Sequence, residues 1–347
     1  MKIGTKELKI PLIQGGMGVG VSLGNLAGHV ARCGGIGVIS SVNAGYAEPD
    51  FETDPHAANL RVLKREIEKA KEIAAGKGLV GVNVMYAVTN YAETCRCAAR
   101  FGADVIISGA GLPLHLPELV EGTDALFAPI ISSGRAARIL LRHYERQYHK
   151  KPDFFVLEGY MAGGHLGFSG EELSSGTCKD NSVLLGEVKE AAGDIPVFVA
   201  GGVFDGKDMA KLIKEGAAGV QIGTRFIATT ECDADPAFKK AIVKAGEEDI
   251  EIIESPVGMP ARAIVTPLIH RLRRGERYPA VRCNNCLRTC KKKETPYCIS
   301  RALIEAVKGN MEDGLFFAGE NAARVDKILS VKELIDEIIE EYREHIK

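Results

Sequence analysis

Short apolar runs alternate along the chain with longer stretches that mix apolar and charged residues. The runs are rich in Val and Ile and show no strict polar alternation, which is typical of strands buried on both faces of a parallel sheet. From these runs we predict eight strands: Ile10–Met17, Ile36–Ser41, Leu79–Met85, Asp104–Gly111, Ala125–Ile131, Phe154–Gly159, Pro196–Val203 and Gly219–Phe226.

The stretches between the runs have apolar residues at the spacing of amphipathic helices. Eight strands, each followed by a helix, close a (β/α)8 TIM barrel. The alternative is an open doubly wound sheet, which needs a carboxylate about 20 residues after a glycine-rich turn. The first run ends in such a turn, but no acidic residue lies between Lys9 and Glu48. We therefore predict the barrel, with helices that include His56–Lys77, Tyr91–Phe101, Arg135–Lys150, Asn181–Ala192 and Gly206–Glu215.

The pattern changes after the last apolar run. We predict a barrel domain over residues 1–250 and a C-terminal extension packed on it over residues 251–347. The first part of the extension is irregular. The segment from Val331 has the pattern of an amphipathic helix with its charges on the outer face.

Charge and hydropathy argue against two broad classes of protein. Lys and Arg number 44 and Asp and Glu 46, and a net charge of −2 does not favour nucleic-acid binding. No apolar run approaches the ~20 residues that span a bilayer, and the N-terminus lacks the apolar core of a signal peptide. We therefore expect a cytoplasmic protein with a small-molecule substrate and no membrane or nucleic-acid partner. The sequence does not set the oligomeric state and is compatible with a homodimer.

One segment departs from this even charge balance. Between Arg271 and Lys293 lie nine Lys or Arg residues and one Glu. Such a segment would dock an acidic carrier protein or a phosphorylated cofactor. The alternative is an ordinary solvated surface.

Glycines stand where the last two predicted strands end. Gly201 and Gly202 follow the seventh strand, and Gly223 and Thr224 follow the eighth. In barrels of this type the loops after these strands often bind phosphate, because backbone N–H groups of residues without side chains approach it closely. The alternative is that the glycines serve only as turn residues.

The ends of earlier strands suit a flat ligand. Gly16, Met17 and Gly18 follow the first strand, and Asn83 lies near the end of the third. A flat ring bound at its edge by amides, with a phosphate tail, describes flavin mononucleotide (FMN). The alternative is a barrel that binds a phosphorylated metabolite without flavin chemistry.

The sixth strand ends at Glu158 and leads into a glycine-rich loop that contains His165. A histidine in such a loop suits acid–base catalysis, since its ordinary pKa lies near neutrality. Its alternative role is a structural hydrogen bond. Glu158 would contact the ribityl chain or a cation, or would be a carboxylate satisfied within the protein.

In this order the motifs resemble those of the nitronate monooxygenase family, which includes FMN-dependent enoyl-acyl-carrier-protein reductases. The resemblance implies a TIM barrel with non-covalent FMN, and His165 as the catalytic acid or base. It further implies oxidation of alkyl nitronates to a carbonyl compound and nitrite, or else NAD(P)H-dependent reduction of enoyl thioesters or quinones. The implied cofactor site contains Gly16, Met17, Gly18, Asn83, Glu158, Gly164, Gly201, Gly202, Gln221, Gly223 and Thr224. The motifs are IPLIQGGMGVGVS, GVNVM, SGAGLP, EGYMAGGHLG, PVFVAGGV, GVQIGTRF, VGMPARA and GLFFAGENA.

Four cysteines depart from what that family requires. Cys283, Cys286, Cys290 and Cys298 have the compact spacing of a single metal site. Four thiolates suit a [4Fe–4S] cluster or a tetrahedral zinc ion. The alternative is a set of reduced thiols or a local disulfide. We expect the other five cysteines to be packing residues.

Overall fold

Eight parallel strands close into a barrel in the computed structural model, which describes residues 1–347. In chain order the strands are β1 (Lys2–Ile3), β2 (Lys6–Glu7), β3 (Leu12–Gln14), β4 (Ile36–Ser40), β5 (Leu79–Met85), β6 (Val105–Gly109), β7 (Leu126–Ile131), β8 (Phe155–Glu158), β9 (Gly164–His165), β10 (Val197–Ala200), β11 (Gly219–Ile222), β12 (Ile250–Glu254), β13 (Pro260–Ile264) and β14 (Phe316–Phe317).

The helices surround the barrel and form part of the extension. They are α1 (Gly24–Arg32), α2 (Pro55–Ala74), α3 (Tyr91–Arg100), α4 (Leu116–Leu119), α5 (Gly134–Tyr148), α6 (Gly170–Ser175), α7 (Asn181–Ala192), α8 (Gly206–Lys214), α9 (Thr224–Ile227), α10 (Pro236–Lys244), α11 (Pro267–Arg273), α12 (Ile299–Val307) and α13 (Val331–His345).

The barrel order confirms the predicted fold. The strands follow one another as β3, β4, β5, β6, β7, β8, β10 and β11, and β11 pairs in parallel with β3 to close the ring. All eight predicted strands are present, so the open doubly wound sheet is excluded. The predicted helices are also present, with ends shifted by a few residues at most. The start of α2 is one such shift, because the Asp54 side chain accepts a hydrogen bond from Ala57 N–H at 3.0 Å and caps the helix there.

The barrel interior is a packed apolar core. Val38, Val105, Phe154 and Phe198 are fully buried in it. The N-terminal hairpin of β1 and β2 contributes Ile3 to the same core. A second, larger core lies between the barrel strands and the surrounding helices.

The extension pairs with the barrel through a second sheet. Within it β13 pairs with β12 and β14, and it also pairs with β9, which lies in the loop after β8. The helix α13 packs against α8 and α1. The predicted division into domains at residue 250 stays a prediction. No helix of this structure has both the length and the apolar character that crossing a membrane requires.

Two glycines provide a test of the packing between barrel and helices. A Cβ atom on Gly37 of β4 would lie 1.8 Å from the carbonyl oxygen of Ala27 on α1, whereas one on Gly186 in the exposed face of α7 would meet nothing within 4 Å. We expect Gly37→Ala to lower the free energy of unfolding by about 1–3 kcal/mol, because α1 must move away from the barrel. The matched variant Gly186→Ala should raise it by roughly 0.5–1 kcal/mol, since it only removes flexibility from the unfolded chain. Urea unfolding of both variants measures this, and equal effects would contradict the packing.

Candidate active site

A cavity of about 250 Å³ opens at the carboxyl ends of the barrel strands, beneath the extension. It brings together the predicted catalytic residue and every predicted cofactor residue. These are Gly16, Met17, Gly18, Asn83, Glu158, Gly164, His165, Gly201, Gly202, Gln221, Gly223 and Thr224. The extension adds residues that the sequence analysis did not single out, among them Phe317, Gly319 and Asn321.

At one end of the cavity, backbone donors are free. The N–H groups of Gly201, Gly202, Gly223 and Thr224 have no hydrogen-bond acceptor within the protein. Gly201 and Gly202 have φ values of 77° and 90°, which favour glycine. Free N–H groups from the ends of two neighbouring strands are the donors that a phosphate group accepts from.

The carbonyl groups of the same loop are held by side-chain amides. Asn181 Nδ2 donates to Gly201 O at 2.6 Å, and Asn321 Nδ2 donates to Gly202 O at 2.7 Å. The Thr224 hydroxyl accepts a hydrogen bond from Gly319 N–H at 2.8 Å and keeps its own proton for a ligand. These contacts fix the loop with its carbonyl groups satisfied.

Polar side chains without protein partners line the other part of the cavity. The side chains of Asn83 and Gln221 make no hydrogen bond within the protein. Gly16 lies against the first of them, and a Cβ atom on Gly16 would lie only 2.4 Å from Asn83 Cβ. The glycine therefore lets Asn83 approach the loop after β3.

Glu158 also reaches the cavity without a partner. Its carboxyl group makes no hydrogen bond or ion pair, and burial raises its pKa to about 7. One role considered for Glu158 was a carboxylate whose hydrogen bonds are all made within the protein. The structure excludes this role. The side chain is free to accept hydrogen bonds from ligand hydroxyl groups, as a ribityl chain would offer.

His165 lies on β9, in the part of the loop that pairs with β13. Its Nε2 hydrogen-bonds to Ser255 Oγ at 2.8 Å, and its ring packs edge-on against Phe317 with 5.2 Å between centroids. Nδ1 has no hydrogen-bond partner and is not sealed from the cavity. Burial lowers the pKa of His165 to about 4, so the imidazole is neutral near pH 7. This differs from the near-neutral pKa expected from the sequence, and it leaves the ring near pH 7 in the unprotonated form, which is able to accept a proton.

Arg262 of β13 holds the loop that leads to His165. Its buried guanidinium donates from Nη1 to the carbonyl oxygens of Tyr160 and Ala162, the second at 2.8 Å. Nη2 pairs with Glu320 Oε2 at 3.1 Å. In the sequence, Arg262 was part of the motif VGMPARA but was not assigned a role. Its contact with Ala162 spans 100 positions, and no local sequence pattern predicts such a contact.

Comparison with known proteins gives this geometry a family. A family model described as nitronate monooxygenase matches residues 1–341. The chain belongs to the nitronate monooxygenase family. Proteins of this family are oxidoreductases that generally depend on FMN.

Individual relatives of this family member are distant but cover nearly all of its length. A probable nitronate monooxygenase of Staphylococcus saprophyticus is 26% identical, over 99% of both chains. A (3aS,4S,5R,7aS)-5-hydroxy-7a-methyl-1-oxo-octahydro-1H-indene-4-carboxyl-CoA dehydrogenase of Mycobacterium tuberculosis is 25% identical, over 97% of this chain and 94% of its own. Among solved structures, FabK from Thermotoga maritima is 27% identical with a TM-score of 0.76, over 98% of this chain and 94% of its own.

In this nitronate monooxygenase family member the four clustered cysteines do not line the cavity at the barrel mouth. Cys283, Cys286, Cys290 and Cys298 line a second cavity of about 470 Å³. All nine cysteines are free, so the local disulfide is not formed, and no three His, Cys, Asp or Glu side chains are arranged to hold one metal ion. The remaining cysteines are Cys33, Cys95, Cys97, Cys178 and Cys232. Of these, Cys95 and Cys232 are buried in the core between the barrel strands and the helices, as predicted.

Four of the nine basic residues in the segment from Arg271 to Lys293 form ion pairs with carboxylates. Arg271 pairs with Asp313, Arg273 with Glu251, Arg274 with Glu276 and Lys291 with Glu294. Arg277 and Arg288 donate to backbone carbonyl groups. Arg282, Lys292 and Lys293 have neither kind of partner. The positive surface is therefore smaller than the sequence suggests.

The pKa of His165 gives a prediction for its titration. We expect its imidazole to titrate with a midpoint near pH 4 in the folded protein, below its ordinary value of about 6.5, because burial disfavours the charged ring. The folded-state pKa lies below the unfolded value, so this residue's contribution to stability is complete above about pH 6.5. It is lost as the pH falls toward 4.

The measurement is a pH series of the histidine ring resonances by NMR, with His165→Gln used to identify the signal. A midpoint at or above 6.5 would show that the imidazole is not buried in its neutral form.

Proposed function

We propose that this protein is an FMN-dependent oxidoreductase of the nitronate monooxygenase type. The observation that carries the proposal is the set of free N–H groups of Gly201, Gly202, Gly223 and Thr224 in the same cavity as His165. The free donors suit the FMN phosphate, and the unpartnered Glu158 suits the ribityl hydroxyl groups. The amides of Asn83 and Gln221 suit the polar edge of the ring.

When bound, FMN supplies the electron acceptor that no side chain of the protein can provide. The substrates of this activity are alkyl nitronates, which are oxidised to a carbonyl compound and nitrite with oxygen as the final oxidant. His165 is the proposed base. In the tautomer whose Nε2–H donates to Ser255 Oγ, Nδ1 carries no proton. Nδ1 then takes the proton from the carbon beside the nitro group when the substrate arrives as the neutral nitroalkane.

A second candidate activity is the NAD(P)H-dependent reduction of an enoyl thioester or a quinone. It is favoured by the likeness to FabK, an enoyl-acyl-carrier-protein reductase, and by the relative named for a coenzyme A thioester. In this reaction His165 would hydrogen-bond the substrate carbonyl group. The three unpaired cations Arg282, Lys292 and Lys293 would face an acidic carrier protein.

Gly223 gives a direct test of the phosphate site. Its φ of −110° suits any residue, and a Cβ atom there would contact only Met17 Sδ, at 3.7 Å. We expect Gly223→Asp to fold normally and to be purified without FMN, because the added carboxylate repels the phosphate. Gly223→Ala adds no charge and is the matched control, which should retain flavin. Flavin released per chain is the measurement, and full occupancy in the aspartate variant would remove this loop from the site.

Anaerobic titration separates the two candidate activities. We expect an alkyl nitronate to reduce the flavin rapidly and NADH or NADPH to reduce it slowly. The reverse order would overturn the nitronate assignment in favour of the reductase.

The role of His165 as a base is tested with the neutral nitroalkane as substrate. In His165→Ala, flavin content should be unchanged and turnover of the nitroalkane lower by about 10²–10⁴-fold, the usual contribution of a general base. Near-normal turnover in the flavin-loaded variant would contradict the role of His165.

A further inference from the structure

The segment between α11 and α12, residues 274–298, contains neither helix nor strand and is here called the cysteine loop. Irregular segments longer than about 15 residues are uncommon in compact domains and are usually functional where they are ordered. Apolar packing holds little of this one. Leu287 and Tyr297 are buried, but Val281 is 89% exposed. Apolar packing is therefore not the main interaction that fixes the shape of the cysteine loop.

Backbone contacts nevertheless bring its cysteines to one place. Leu287 forms a bridge with Val88 in the loop after β5, and Cys286 O accepts a hydrogen bond from Thr89 N–H at 3.0 Å. At the other end of the loop, Cys298 N–H donates to Tyr278 O at 2.7 Å. With Cys286 and Cys298 anchored in this way, all four clustered cysteines line the same cavity of about 470 Å³.

A hydrogen-bond donor and two positive charges lie near the sulfur atoms. The N–H of Asn285 donates to Cys283 Sγ at 3.3 Å, and Asn285 adopts a left-handed conformation with φ of 51° that directs this donor. Hydrogen bonds of this kind stabilise sulfur ligands of a metal. Arg282 and Lys292, which have no acidic partner, line the same cavity. Their charges would offset the negative charge of a four-thiolate group.

A zinc ion and a four-iron cluster need different arrangements of four thiolates. A zinc ion needs its four ligands within about 2.3 Å of one point. The four cysteines line a cavity of about 470 Å³, which has room for a cluster. A four-iron cluster carries one thiolate on each iron, so its ligands lie further apart around a larger space. We propose that Cys283, Cys286, Cys290 and Cys298 bind one [4Fe–4S] cluster in this cavity.

The proposed cluster site adjoins the proposed flavin cavity. Cys286 and Ser300 line a small cavity of about 110 Å³ together with Met85 and His165. The last two residues also line the cavity at the barrel mouth. A small cavity therefore connects the proposed cluster site with the proposed flavin cavity.

The test is metal analysis of the full chain purified without oxygen and reconstituted with ferrous iron and sulfide. We expect about four irons and four sulfides per chain and an EPR signal after reduction with dithionite. A parallel sample supplied with zinc sulfate measures zinc uptake. Cys286→Ser and Cys298→Ser should lose the iron, whereas Cys178→Ser, the half-buried control outside the loop, should retain it.

Circular dichroism and flavin content of each variant separate cluster loss from misfolding and from failure of the FMN proposal. Loss of iron with both unchanged supports the site. One tightly bound zinc per chain that iron and sulfide do not replace would overturn the proposal, as would iron at background level in the anaerobic protein. Equal iron content in Cys178→Ser and Cys286→Ser would also overturn it.

Discussion

The buried guanidinium of Arg262 joins the two parts of this molecule on which the active site depends. It lies on β13, in the extension, and donates to the carbonyl oxygens of Tyr160 and Ala162 in the loop after β8. Burying a carbonyl group without a hydrogen-bond donor costs free energy. The loop therefore keeps this conformation only while β13 is in place. The same strand pairs with β9, which carries His165. One side chain and one short strand pairing therefore set the position of the proposed base.

Burial sets the protonation states of two titratable side chains in the cavity. The imidazole of His165 and the carboxyl group of Glu158 are both buried without an opposite charge, so the pKa of the first falls to about 4 and that of the second rises to about 7. Each shift moves the group toward its neutral form. The free N–H groups of the loops after β10 and β11 then make one end of the cavity electropositive. A ligand with an anionic tail and an uncharged, polar ring matches this distribution.

The sequence predicted those elements that depend on the pattern of apolar and polar residues within a short segment. β5 is predicted to the residue because Leu79–Met85 is an apolar run, interrupted only by Gly81 and Asn83, between a glycine and a turn. β3 is shorter than predicted, since the chain leaves the barrel at Gly15 to line the cavity. Ser255 and Asn321 could not be found in this way. They act across 90 and 119 positions, and their own neighbourhoods show only a strand end and a short turn.

The outer ring of helices around the barrel includes a helix from the extension. The last barrel strand, β11, is followed directly by the four-residue α9, which is too short to cover its neighbours. The helix α13 lies beside α8 and α1, where the eighth helix of a barrel belongs. Glu341 accepts a hydrogen bond from Gly206 N–H at 3.0 Å, and Glu337 pairs with Arg225, a residue that lines the cavity. The chain between β11 and α13 must therefore cross the barrel mouth before the ring is complete, and that crossing supplies Ser255, Arg262 and Phe317 to the site.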